Sequence, residues 1–286
     1  MDEEDYGFYS HGGKETLRFT ENTITKTGAN AILLERHEGA TIVSHNTFDR
    51  GIGDGAVDAY FNMNYGGTDI TTLQKVSHNT INMGTNAPGA LFDSLHRGTG
   101  ITFAAGFTGV PGEAGGFTNV LIDSNKIVNL RANRRGIGTW NNAEPPSKGN
   151  IAAVIQHNTV WGFGKDVAGS MGINTIGYIS GSLILDNELK YLDAGIRLRE
   201  WNSDNASFLE ISDNQIQAIL GIDLQNLASN NYIDHNNICA SGPWAVLLQA
   251  GTSENVVTKN TLKAYKKWGN ATVQNSGTDN TVAGNN

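Results

Sequence analysis

The sequence predicts an all-β solenoid of about ten coils, and three observations carry that reading. One phrase, an apolar alternation followed by Asn and a further apolar residue, recurs from end to end. A second apolar phrase, usually opened by Gly, lies between its copies. Asn makes up 33 of the 286 residues, against only 5 Pro. Self-similarity at a period of roughly 20–50 residues marks a stacked architecture, because each unit can bury its apolar face only against its neighbours.

The first phrase reads LRFTENTI at 17–24, TIVSHNTF at 41–48, KVSHNTI at 75–81, VLIDSNKI at 120–127 and AVIQHNTV at 153–160. It continues as LILDNEL at 183–189, LEISDNQI at 209–216, YIDHNNI at 232–238, VVTKNTL at 256–262 and TVAGNN at 281–286. Its anchors are Asn22, Asn46, Asn79, Asn125, Asn158, Asn187, Asn214, Asn236, Asn260 and Asn285, with gaps of 24, 33, 46, 33, 29, 27, 22, 24 and 25. The second phrase reads AILLE at 31–35, GITF at 100–103, GIGTW at 136–140, GINTI at 172–176, GIRLRE at 195–200, GIDLQ at 221–225 and AVLLQ at 245–249. Both phrases alternate with the period of two that strands require, and no stretch sustains a helical period. A recurrent Asn suits a tight corner, since Asn tolerates a positive φ better than other non-Gly residues. Stacked corners would also let one side-chain amide donate to the next and form an Asn ladder.

On these phrases the chain resembles the right-handed parallel β-helix proteins of the pectate-lyase-like superfamily, over roughly residues 16–286. The resemblance implies a single-stranded right-handed parallel β-helix, one domain over 1–286, located outside the cell or at its surface. That superfamily includes polysaccharide lyases, hydrolases, epimerases, phage tailspikes and non-catalytic surface proteins. The polygalacturonase-like set is missing from the sequence, with no Asp-Asp and no Gly-His-Gly. The Asp-Pro-His of alginate epimerases and the Arg-x-Pro-x-x-Arg of pectate lyases are also absent.

Composition narrows the classes further. A net charge of −8 disfavours non-specific nucleic-acid binding, no apolar run reaches membrane-span length, and MDEEDYGF lacks the regions of a signal peptide. The single cysteine, Cys239, excludes an intramolecular disulfide. Neither end carries an obvious cap, and an open solenoid end exposes unpaired strand edges, so flanking domains or a homo-oligomer are expected to cover them.

A minimal coil of about 22 residues leaves the long gaps between Asn46 and Asn158 with insertions, drawn from 50–69, 84–100, 104–116 and 131–149. Insertions in solenoids gather on one face, often the binding face. The segment RGIGDGAVD at 50–58 has some likeness to a calcium-binding nonapeptide, which makes calcium the one cofactor to consider.

Alternation places two outward columns on the Gly-Ile strands. One is expected to read Leu33, Asp58, Thr102, Gly138, Asn174, Arg197, Asp223 and Leu247; the other Glu35, Tyr60, Ala104, Trp140, Ile176, Arg199, Gln225 and Gln249. Three groupings follow. Arg197, Arg199 and Asp223, with Asp193, Glu200 and Trp201 at the strand edges, would neutralise a uronate carboxylate and acidify its C5 proton for β-elimination. The competing structural reading is a cross-strand pair worth a few tenths to about 1 kcal/mol. Glu35 and Asp58, near His37, Asp54 and Tyr60, would form the paired carboxylates of a glycoside hydrolase, unless a slip of one residue turns one away. His96, Arg97, Arg131, Arg134, Arg135 and Trp140 would hold an anionic sugar through planar guanidinium groups and an aromatic face, or else form a solvated loop.

The expected function is therefore binding and β-eliminative cleavage of an extended, acidic polysaccharide, catalysed by Arg197, Arg199 and Asp223. A hydrolase using Glu35 and Asp58 is the enzyme alternative. A non-catalytic rod, adhesin or tail-fibre-like module is the alternative from another class.

Overall fold

A computed structural model describes residues 6–25, 30–49, 59–65, 69–83, 98–105, 115–141, 149–164, 167–199, 206–264 and 272–286. Within them the chain winds through short strands that pair only in parallel, each with its equivalent one coil away. The fold is the expected right-handed parallel β-helix.

Each coil has up to three main strands, and Ile179–Ser180 and Ala206–Ser207 pair as a short two-stranded sheet of their own. The first precedes the Asn corner, and ten of these, from Leu17–Thr20 to Thr281–Ala283, form one sheet. The second follows the corner, as in Thr23–Thr25 and Thr159–Gly162, and the third is the Gly-Ile strand, as in Asn30–Glu35 and Arg135–Asn141. Second and third stacks merge into a 17-stranded sheet because Glu188–Arg199 and Gln215–Leu224 run through both. Tyr6–His11 pairs with Asn30–Glu35 and supplies a third-stack strand ahead of the first Asn copy.

The core is a set of apolar columns. Ile32, Phe61, Ile101, Ile137, Ile173, Ile196, Ile222 and Val246 lie in register down the third stack, all fully buried. Each such side chain contributes about 1.5–3 kcal/mol by leaving water. The glycine that opens the phrase has a steric cause. A Cβ on Gly100, Gly136, Gly172 or Gly195 would lie 2.6–2.7 Å from the carbonyl oxygen of the next glycine in the column.

The ladder connects all ten predicted asparagines. Each Nδ2 donates to the Oδ1 of the next, at 2.9–3.1 Å. The corner conformation differs from the expectation. The positive φ belongs to the residue before each Asn: Glu21, His45, His78, Ser124, His157, Asp186, Asp213, His235, Lys259 and Gly284. That residue makes the turn and points outward, so its side chain is free to vary, whereas the Asn amide points inward and must bond. A second, shorter ladder lies at the corner between third and first stacks, where Asn231 donates to Asn255 and Asn255 to Asn280, both at 2.9 Å.

The outward corner residues form a ridge. His45 and His78 stack with ring centroids 4.9 Å apart, and His157 Nδ1 lies 2.9 Å from Asp123 Oδ1. Burial pushes the Asp123 carboxyl up, but hydrogen bonds from His157, Gln156 and Ser124, with the charge on His157, outweigh it and hold the group below the usual carboxylate range. A carboxyl lower in the folded than in the unfolded chain adds stability above its ordinary pKa of about 4, and that stability is lost as the pH falls through the lowered value. Asp123→Asn is therefore expected to make the loss of stability below about pH 4 shallower. Urea midpoints measured against pH check this, and an unchanged slope would exclude the contribution.

Candidate functional site

The outer face of the third stack is set by the register of its strands. Thr102, Gly138, Asn174, Arg197, Asp223 and Leu247 follow one another as expected, and Ala104, Trp140, Ile176 and Arg199 run beside them. One coil is corrected. Asn62 stands opposite Leu33 and Asn64 opposite Glu35, where Asp58 and Tyr60 were expected. The reason is core volume: Phe61 and Met63 fill the interior of this coil, which displaces the strand by four residues from the register that Val57 and Ala59 would give. Tyr60 is on the strand Ala59–Tyr65, two residues ahead of Asn62. Asp54, Asp58, His96, Arg97, Glu200 and Trp201 lie outside the described residues.

The most ordered group of polar side chains on this face is centred on Asp223. Its carboxylate is almost fully buried and accepts three hydrogen bonds: Arg197 Nε to Oδ2 at 2.8 Å, Gln225 Nε2 to Oδ2 at 2.7 Å and Gln249 Nε2 to Oδ1 at 2.8 Å. Arg197 Nη1 reaches Met171 Sδ at 3.6 Å, and 18% of the side chain is exposed. A guanidinium pinned at Nε by a buried carboxylate presents its remaining N–H groups in a fixed plane, the geometry that recognises a second carboxylate. Removing Asp223 would leave a half-buried charge without its partner, so the pair is at once structural and a way of aiming Arg197. The Asp223 carboxylate thus holds Arg197 while accepting from both glutamines.

Asn174 stands one coil before Arg197 in the same column. It is fully buried, yet among the described residues neither its Oδ1 nor its Nδ2 has a hydrogen-bond partner. Its other neighbour is Gly138, where an added Cβ would make ordinary contacts at 3.4 Å or more with Thr99, Thr102 and the Asn174 backbone. An unpaired buried amide is costly to keep, about 1–3 kcal/mol, and a ligand polar group would relieve it.

The other predicted groups are placed differently. Glu35 accepts a hydrogen bond from Tyr9 Oη at 2.8 Å, and its strand neighbours are His11 and Asn64. His37 is buried, and burial lowers its pKa against the opposing effect of the Ala40 and Glu15 backbone. Arg134 and Arg135 do not line a groove. Arg134 is buried with Nη1 on the Met83 carbonyl at 3.0 Å, and Arg135 is wholly buried with its guanidinium carbon 4.7 Å from the Trp140 ring centroid. Arg135 has the inward parity of Ile137, which explains its burial. Arg131 lies over the Phe163 ring. Asn174, Gln225 and Gln249 are the polar groups whose part the sequence reading left unassigned; their place in the two outward columns was the available signal.

Among the described residues no cluster of three or more His, Cys, Asp or Glu side chains is arranged to hold a metal ion, and residues 50–58 lie outside them. No family model matches this sequence, and no curated protein sequence does. Two solved structures align with the chain, both of mutant forms of the periplasmic alginate epimerase AlgG. One is 11% identical with a TM-score of 0.40, covering 86% of this chain and 62% of that one; the other is 13% identical with a TM-score of 0.37, covering 94% and 73%. The chain thus spans less than two thirds of the length of the first. Nothing about chemistry follows from likeness at this level.

Proposed function

We propose that the protein is a carbohydrate-active β-helix that binds an extended acidic polysaccharide along the outer face of its third stack, with Arg197 engaging a uronate carboxylate. The observation that carries this reading is the Arg197–Asp223 pair, in which Gln225 and Gln249 hold the carboxylate and 18% of the Arg197 side chain is exposed. Charge neutralisation by Arg197 would acidify the C5 proton. Transfer of that proton to water, formation of the C4–C5 double bond and cleavage of the C4–O bond, with the leaving oxygen protonated by water, would complete β-elimination.

The commitment of Asp223 to three donors favours a second reading, a module that binds the polymer without cleaving it. Incubation with polygalacturonate, alginate and a neutral glucan, with and without calcium, separates the two. Ultraviolet absorbance from unsaturated ends, abolished in Arg197→Ala, is the expected result for the lyase. Binding without any product would establish the non-cleaving module. Absence of both binding and product with every acidic polymer would refute the proposal.

A further inference from the structure

A second outward face, on the stack that follows the Asn corner, concentrates cations and aromatic rings in three consecutive coils. Trp161 is in register with Lys190 of the next coil, and Lys126 begins the strand of the preceding one. The two ammonium groups lie 5.8 and 5.9 Å from the indole centroid, one from each side. Further along, the guanidinium carbon of Arg131 lies 4.1 Å from the centroid of the Phe163 ring, which is 47% exposed. The inward residues of these strands, Ile127, Val160 and Leu189, are fully buried, so the core does not need the two rings. Glu188 pairs with Lys190 and is the counter-charge within the group. On a chain of net charge −8, three cations against one carboxylate reverse the local sign.

We propose that this face is a second contact for an acidic polysaccharide, with one pyranose ring stacked on Trp161 and the carboxylates of flanking sugars on Lys126, Lys190 and Arg131. The inference rests on the reading of the chain as a binder of acidic polysaccharide. Lys126 and Lys190 belong to the coils on either side of Trp161, and coils stack about 4.8 Å apart; Lys190 is directly in register with Trp161, whereas Lys126 is opposite Thr159, two residues along the strand. A polymer crossing the three coils obliquely would therefore meet a cation, a ring and a cation in turn. Cations over an indole face are themselves attracted to it, which keeps the two ammonium groups close to the ring, 5.8 and 5.9 Å from its centroid. The face is separate from Arg197, because the strand Glu188–Arg199 bends between Lys190 and Arg197 at Tyr191, whose φ is 60°. Two contacts on separate faces bind a long chain better than either alone.

The test is calorimetric titration of the full chain with polygalacturonate and alginate, with dextran as the neutral control, at low and high salt. Trp161→Ala is expected to weaken binding of the acidic polymers roughly tenfold, or about 1.4 kcal/mol, and Trp161→Phe to retain most of it. The charge-only variant Lys126→Gln/Lys190→Gln should weaken binding at low salt and flatten its salt dependence, and it serves if Trp161→Ala does not fold. Wild-type affinity and salt dependence in these variants, alongside lost binding in Arg197→Ala, would overturn this contact and leave the proposed function standing. Failure of the wild type to bind either acidic polymer would overturn both.

Discussion

Replacing Asn187 with Ala is expected to cost the protein about 3 kcal/mol or more, because five hydrogen bonds end on that one side chain. Its Oδ1 accepts from the backbone N and the Nδ2 of Asn158, both at 3.0 Å, and its Nδ2 donates to the Ile155 and Leu185 carbonyls and to Asn214 Oδ1, each at 2.9 Å. The site is buried, so water cannot take over the orphaned groups. Asn285 occupies the equivalent corner of the last coil but is partly exposed, and water can replace part of what Asn285→Ala removes. Urea denaturation of the two variants side by side makes the comparison. Equal losses would mean that burial adds nothing to the worth of a ladder position.

The second large effect is expected at Gly195. A Cβ there would lie 2.4 Å from Ile216 Cγ2 and 2.6 Å from the Gly221 carbonyl oxygen, and backbone cannot move aside cheaply. Gly195→Ala is expected to destabilise by at least about 2 kcal/mol through overpacking. Gly138→Ala is the control, since its nearest neighbours would be 3.4 Å away or more, and it should leave stability unchanged. The pair distinguishes a column of glycines that lets coils approach from a merely flexible strand. Matching thermal midpoints would remove the steric explanation.

Those two positions also show what the sequence made legible. Asn187 was readable because apolar alternation on both sides fixes its place in the coil, and the same pattern located all ten members of the ladder. Which residue carries the positive φ was not readable, because His, Asp, Ser, Glu and Lys at the preceding position share no chemistry beyond being exposed. The second ladder was missed although Asn231, Asn255 and Asn280 each stand five residues before a first-ladder Asn. Earlier coils offer Ser182 and Leu209 in their place, so the repeat is short. Arg197 and Asp223 were paired correctly, since the intervening coil contains no insertion and register follows from counting. The coil at 59–65 was misaligned because AVDAY imitates the apolar phrase, while the bulk of Phe61 and Met63 decides which residues turn inward. Trp161 and Phe163 stand on or just after Thr159–Gly162, off the Gly-Ile strands on which alternation defines the outward columns.

The ladder also has a direction. In all nine bonds of the ladder the Nδ2 donor belongs to the earlier coil and the Oδ1 acceptor to the later one. Any two coils that meet in this way meet donor to acceptor. A two-fold axis across the end of such a column would set donor against donor or acceptor against acceptor. End-to-end contact between copies of this chain, if it uses the ladder, is therefore restricted to head-to-tail translation, the heterologous symmetry that builds filaments and not closed dimers.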